Sequence, residues 1–168
     1  MPSSPMDRSL RPWLREIGLV WPVPARWAWL ADAHLAAALL AALPVWCALG
    51  ATVGPQLRMP AGWSAWLALV LVQPLAEELA FRGVLQGWLL RLGWRRRAGP
   101  VTLANLGTTA AFVAWHVGTQ PFVWALAVAI PSLVFGHLRE RLGSVWPAVI
   151  VHIVYNAGFG LTAWWLRA

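Results

Sequence analysis

Glu77 and Glu78 stand side by side, with Arg82 four residues beyond the second, inside a stretch from Gly62 to Leu90 that is otherwise almost wholly apolar. An ionised carboxylate at membrane depth costs at least a few kcal/mol, so such residues face a protein interior or a wet cavity and mark function. Residues four apart share a helix face, which pairs Glu78 with Arg82. Glu77 is turned about 100° away around the helix and points elsewhere. A poorly solvated carboxylate with no cation of its own is suited to taking a proton from water.

The four-residue spacing recurs twice. Phe112 and His116 share one apolar stretch, and His152 and Asn156 share another. An imidazole and an amide one turn apart can both donate to a developing oxyanion. A lone intramembrane histidine reads equally well as a hydrogen bond between packed helices. With two acids and an asparagine on neighbouring helices, the cluster reads as a site. His34, beside Asp32, and His137, two residues before Arg139, read as interfacial.

Other chemistries fit less well. Glu77, Glu78, His116 and His152 carry ligand atoms, but no His-Glu-x-x-His pair puts two histidines on one turn, so neither a metal nor another cofactor is expected. Ser64, Ser132 and Ser144 lack a Gly-x-Ser-x-Gly setting. Cys47, the single cysteine, has no partner for a disulfide or a cysteine-based zinc site and reads as a small core or lipid-facing residue.

These side chains must be positioned by membrane helices. Hydrophobic residues make up 60% of the chain and charged ones 11%, with 14 tryptophans in 168 residues, a profile outside the soluble range. The formal net charge of +7 is carried by arginine alone, clustered in connections with no interleaved polar readers, and this excludes nucleic acid as a partner. The expected fold is all-α: a polytopic transmembrane bundle in one membrane domain over 1–168. About five spanning helices run from His34 to Val53, Gly62 to Leu90, Val101 to Val117, Phe122 to Leu138 and Val145 to Leu166. The segment 1–30, where Trp13, Trp21, Trp27 and Trp29 mix with Arg11, Arg15, Glu16 and Arg26, reads as an interfacial arm ahead of a catalytic core over 62–166.

Arginines concentrate in the N-terminal arm, at Arg91 and Arg95 to Arg97, and at Arg139 and Arg141. The positive-inside rule therefore puts the N-terminus in the cytoplasm and the C-terminus outside. On this topology His116 falls near the outer end of its span while Glu77 and His152 sit deeper, so a shared site requires a helix to tilt, break or sit deep.

Glu77-Glu78-Leu-Ala-Phe-Arg82-Gly83, Phe112-Val-Ala-Trp-His116 and His152-Ile-Val-Tyr-Asn156, in this order, resemble the three motifs of the CPBP intramembrane proteases. That group contains CAAX prenyl endopeptidases and bacteriocin-processing or self-immunity proteins. Gly83-Val-Leu-Gln86 and Leu142-Gly-Ser-Val-Trp-Pro147 extend the likeness, which runs from Pro74 to Gly160. It implies a glutamic-type endopeptidase without a cofactor: Glu77, aided by His116, activates a water, His152 and Asn156 stabilise the oxyanion, and Glu78 and Arg82 hold the geometry. With fewer spans than the prenyl-protein processors, the chain is similar to small myxosortase-like enzymes that cut C-terminal anchoring tails. The expected partners are membrane lipid and a tail-bearing peptide or protein. An arginine-only, alanine- and tryptophan-rich composition fits a GC-rich bacterial genome, and the expected location is the bacterial plasma membrane. Two other classes compete: a non-catalytic immunity or scaffold protein that binds a membrane peptide, and a proton-coupled carrier, which the lack of an inverted repeat disfavours.

Overall fold

The computed structural model describes residues 12–22, 27–53 and 60–165. Arg8, Arg11 and Arg26 of the expected arm, together with Arg58 and Arg167, lie outside the described residues. All five apolar runs are helical: α1 Ala33–Val53, α2 Gly62–Arg91, α3 Leu103–Val117, α4 Phe122–Leu142 and α5 Trp146–Trp165. A two-residue hairpin, β1 Arg97–Ala98 paired antiparallel with β2 Val101–Thr102, joins α2 to α3. Among the described residues, α2 and α4 are long and apolar enough to cross a membrane. Only 11% of the most apolar part of α2 is buried, and Leu67, Leu71, Val72 and Val84 face outward, a surface suited to lipid and not to water.

Helix α5 is the centre of the bundle, packing against α1, α2 and α4, while α3 lies against α4 and the second half of α2. Trp29, Leu35, Phe135, Leu138, Leu142 and Val151 form the apolar core between α1, α4 and α5. Asp32 starts α1: its Oδ1 accepts from the amides of His34 (3.0 Å) and Leu35 (3.1 Å), and its Oδ2 from Arg141 Nε (2.8 Å). Although burial pushes the other way, these hydrogen bonds hold the Asp32 carboxyl below its ordinary value. The cap therefore contributes fully above the usual carboxylate range and is lost only as the pH falls through the lowered value. Gly143, at φ +65°, takes the left-handed conformation that stops α4 and lets the chain turn into α5.

Pro74 shapes α2. It has no N–H, and the turns before and after it widen to π-helix over Ala68–Val72 and Leu79–Leu85. The Gln73 amide reaches back to Ala68 O, and residue 74 offers no donor, so neither usual amide is available to the Leu69 carbonyl. Asn156 Nδ2, from α5, donates to it at 2.9 Å. A side chain from the neighbouring helix thus satisfies a carbonyl that its own helix cannot.

Residues 12–22 dock on the bundle. The Gly18 carbonyl accepts from Val145 N (3.0 Å), the Val20 carbonyl from Ser144 Oγ (2.7 Å), and the Glu16 carbonyl from Arg139 Nη2 (2.7 Å). The segment crosses α2 at Gly83 and Gly87, where a Cβ on Gly87 would run into the Glu16 carbonyl. Gly87→Ala should therefore push the segment off and lower stability by about 1–3 kcal/mol. Gly118→Ala, with room for a methyl group, is the control. Equal thermal midpoints for the two variants in detergent would show that the docking is not tight.

Candidate active site

Glu78 and Arg82 are both fully buried, and Arg82 Nη1 donates to Glu78 Oε1 at 3.1 Å, the pairing their spacing implies. The other end of the guanidinium serves α4: Nη2 donates to Ser132 Oγ at 2.8 Å and to the Ser132 carbonyl at 3.2 Å. Its cation lies over the rings of Phe112 (4.5 Å) and Phe135 (5.3 Å). Ser132 shares a hydrogen bond with Thr109 Oγ1 (2.9 Å), and Asn105, one turn before Thr109, donates to the Leu133 carbonyl (2.9 Å). The pair thus ties α2 to α4, and Thr109 and Asn105 tie α3 to the same point.

His152 comes from α5 and meets both glutamates. Its Nδ1 lies 2.8 Å from Glu78 Oε1, and its Nε2 lies 3.8 Å from Glu77 Oε2. An ionised carboxylate only accepts, so the proton on this side belongs to Nδ1, and Nε2 is the nitrogen turned to Glu77. The Phe135 ring stacks on the imidazole with centroids 4.8 Å apart and fixes its plane. Adjacent positions 77 and 78 thus reach opposite nitrogens of one ring. Glu78 is sealed off, whereas the Glu77 side chain retains 23% of its exposure.

His116 is placed differently. Its Nδ1 donates to the Phe112 carbonyl at 2.9 Å, and Nε2 makes no hydrogen bond among the described residues. No hydrogen bond or ion pair joins it to Glu77 among the described residues. It enters the site through Phe112, whose ring contacts His116 (centroids 4.4 Å apart) on one side and His152 (6.4 Å) on another. Asn156, half-buried, spends one N–H on Leu69 O and keeps a second. Helix α2 widens on either side of Pro74 and runs on without a break. Among the described residues, no three His, Cys, Asp or Glu side chains converge as a metal cage. Cys47 is exposed and free.

Three ordered motifs, on three helices, therefore meet around a buried ion pair. Residues 59–158 match the family model described as Rce1-like, type II CAAX prenyl endopeptidase. The chain belongs to the Rce1-like family. No curated protein and no solved structure matches it. The matched span contains all six candidate residues, and the family makes the chain a membrane protein and a protease of the CAAX type, acting on a membrane-associated protein substrate.

Spacing alone does not find Ser132, Thr109 or Phe135. In the sequence Ser132 reads only as an unsupported nucleophile, and in the fold it is fully buried and accepts from Arg82. Ser132→Ala should leave Arg82 Nη2 with only a carbonyl and cost about 1–3 kcal/mol. Ser64→Ala, at an exposed position, should cost little. Chemical denaturation in detergent compares the two, and equal midpoints would remove Ser132 from the network.

Proposed function

We propose that this Rce1-like protein is a glutamic-type intramembrane endopeptidase. Glu77 takes a proton from a water molecule, the water oxygen attacks the scissile carbonyl, and the same proton passes from Glu77 to the departing amine as the C–N bond breaks. His116, with its open Nε2, helps hold the water. His152 and Asn156 donate to the oxyanion, His152 through a protonated Nε2 and Asn156 through its second N–H. Glu78 and Arg82 hold the geometry: Glu78 anchors the His152 ring at Nδ1, and Arg82 keeps Glu78 in place.

The observation that carries this reading is the unequal fate of two adjacent acids. Glu78 accepts from Arg82 and His152 and is closed to substrate, whereas Glu77 is partly open and has no hydrogen bond with a cation closer than the 3.8 Å approach to His152. A base must be reachable and only loosely engaged.

The proposed substrate is a membrane protein with a C-terminal tail, in preference to a prenylated chain, cut near the surface of a bacterial plasma membrane. Five helices would cross, with the Arg91, Arg95 and Arg139 ends in the cytoplasm and the segment before α1 lying along the interface. The 15 residues of α3 rise about 22 Å, less than the hydrocarbon thickness, so its ends would rely on protein cover from the 12–22 segment and the hairpin.

Glu77→Gln keeps the shape of the side chain and removes its basicity. Cleavage of a tail-bearing substrate should fall by at least about 10²-fold while the purified variant still binds that substrate. Phenanthroline should leave wild-type turnover intact. Full activity in the variant would end the mechanism, and loss of turnover with the chelator would make the same residues ligands of an ion. Wild-type protein that binds the substrate and never cuts it would favour an immunity or scaffold role.

A further inference from the structure

Away from the paired glutamates, the arginine-bearing ends of α2 and α4 enclose a cavity of about 670 Å³. Arg15, Arg91, Arg95, Arg97, Arg139 and Arg141 line it, against Glu16 and Glu140, and none of the six candidate catalytic residues does. Much of the charge has no counter-ion. Arg91 pairs with Glu16 at 3.0 Å and Arg141 with Asp32 at 2.8 Å. Glu140 is engaged by Gln86 Nε2 (2.7 Å) and Thr102 Oγ1 (2.6 Å). Arg15, Arg95, Arg97 and Arg139 make no salt bridge among the described residues. Arg139 is only 5% exposed, donates its Nη2 to backbone carbonyls, and has a buried Nε without an acceptor. A buried guanidinium that forms no salt bridge, with Glu140 as its nearby counter-charge and further arginines around it, favours an anion.

A second recess adjoins this one. Trp13, Ile17, Val84 and Trp88 make an apolar groove of about 280 Å³ that shares Glu16, Gly87 and Arg91 with the charged cavity. Trp13 and Trp88 are each more than 40% exposed, and Val84 is on the outward face of α2. The two recesses thus lie side by side, one cationic and one apolar, with the Arg91–Glu16 pair and Gly87 at their shared wall. They sit at the ends of the two membrane-length helices, where lipid phosphates lie.

We propose that this site binds one anionic phospholipid, with its phosphate among Arg15, Arg95, Arg97 and Arg139 and an acyl chain along the Trp13 to Trp88 groove. A lipid seated there clamps the 12–22 segment, which supplies Arg15, Glu16 and Trp13, onto the ends of α2 and α4. The site does not depend on which bond the protease cuts.

The test is binding of short-chain phosphatidylglycerol to the purified full chain in a neutral detergent. Arg15→Gln and Arg95→Gln should each weaken binding about fivefold, and together about thirtyfold. Both side chains are exposed and unpaired, so the lipid-free thermal midpoints should not change. Arg96→Gln removes the same charge from a position that does not line the cavity and should bind as the wild type does. Equal weakening by Arg96→Gln, or none by the double variant, would overturn the site as diffuse surface attraction. Glycerol phosphate and inorganic phosphate should bind far more weakly than the lipid. Equal binding of either would make the ligand a soluble phosphate and overturn the lipid assignment, and displacement of the lipid by a polyglutamate peptide would replace it with an acidic protein partner. Phosphatidylcholine of the same chain length should not compete.

Discussion

A fully desolvated Glu78–Arg82 pair is the constraint around which the bundle is organised. Neither charge persists at this depth without partners, and one helix cannot supply those that Glu78 Oε1 and the two Nη atoms of Arg82 find here. Arg82 takes its remaining acceptors from Ser132 on α4 and its aromatic faces from Phe112 on α3 and Phe135 on α4. Glu78 takes its second donor from His152 on α5. The partners of one ion pair therefore come from four helices, which must meet at a fixed rotation. Apolar packing alone specifies that arrangement weakly, since lipid competes equally for apolar faces.

The same requirement separates the roles of two neighbouring acids. With Glu78 committed to Arg82 and to Nδ1 of His152, the ring is held in one plane and its other nitrogen is turned to Glu77. Glu77 faces an oriented ring at 3.8 Å, beyond hydrogen-bond distance. The buried pair is costly in stability, and what it provides is orientation. Asn156 is placed by a different need, the Leu69 carbonyl left without an amide by Pro74. A helix-breaking residue thus becomes the reason that an amide stands beside the site.

The four-residue spacing made the Glu78–Arg82 pair legible, and the length of the apolar runs made the five helices legible, because both are local signals. Three ordered motifs gave the family. What stayed hidden is tertiary. The rotation of Glu77 away from Glu78 suggested separate surroundings, yet the two carboxylates reach opposite nitrogens of one histidine. A ring spanning two positions on a facing helix cannot be read from either helix. The π-helical turns around Pro74 were invisible because a proline in a membrane helix can be absorbed by a kink, a break or a widened turn, and only the neighbour that satisfies the freed carbonyl decides among them. Tryptophans mixed with arginines over 1–30 read as an interfacial arm, but they do not show that 12–22 lies on Gly83 and Gly87 and pairs its carbonyls with α4 and the start of α5. Scattered arginines become a cavity only once that segment and two helix ends converge.

The central claim is that Glu78, and not Glu77, is the partner of Arg82, and a double-mutant cycle on stability measures this directly. Unfolding free energies in one detergent would be compared for Glu78→Gln, Arg82→Met and the double variant, with the parallel cycle through Glu77→Gln. The account predicts a coupling of about 1–3 kcal/mol for Glu78 with Arg82 and less than about 0.5 kcal/mol for Glu77 with Arg82. Equal couplings for the two glutamates, or none for Glu78, would contradict it.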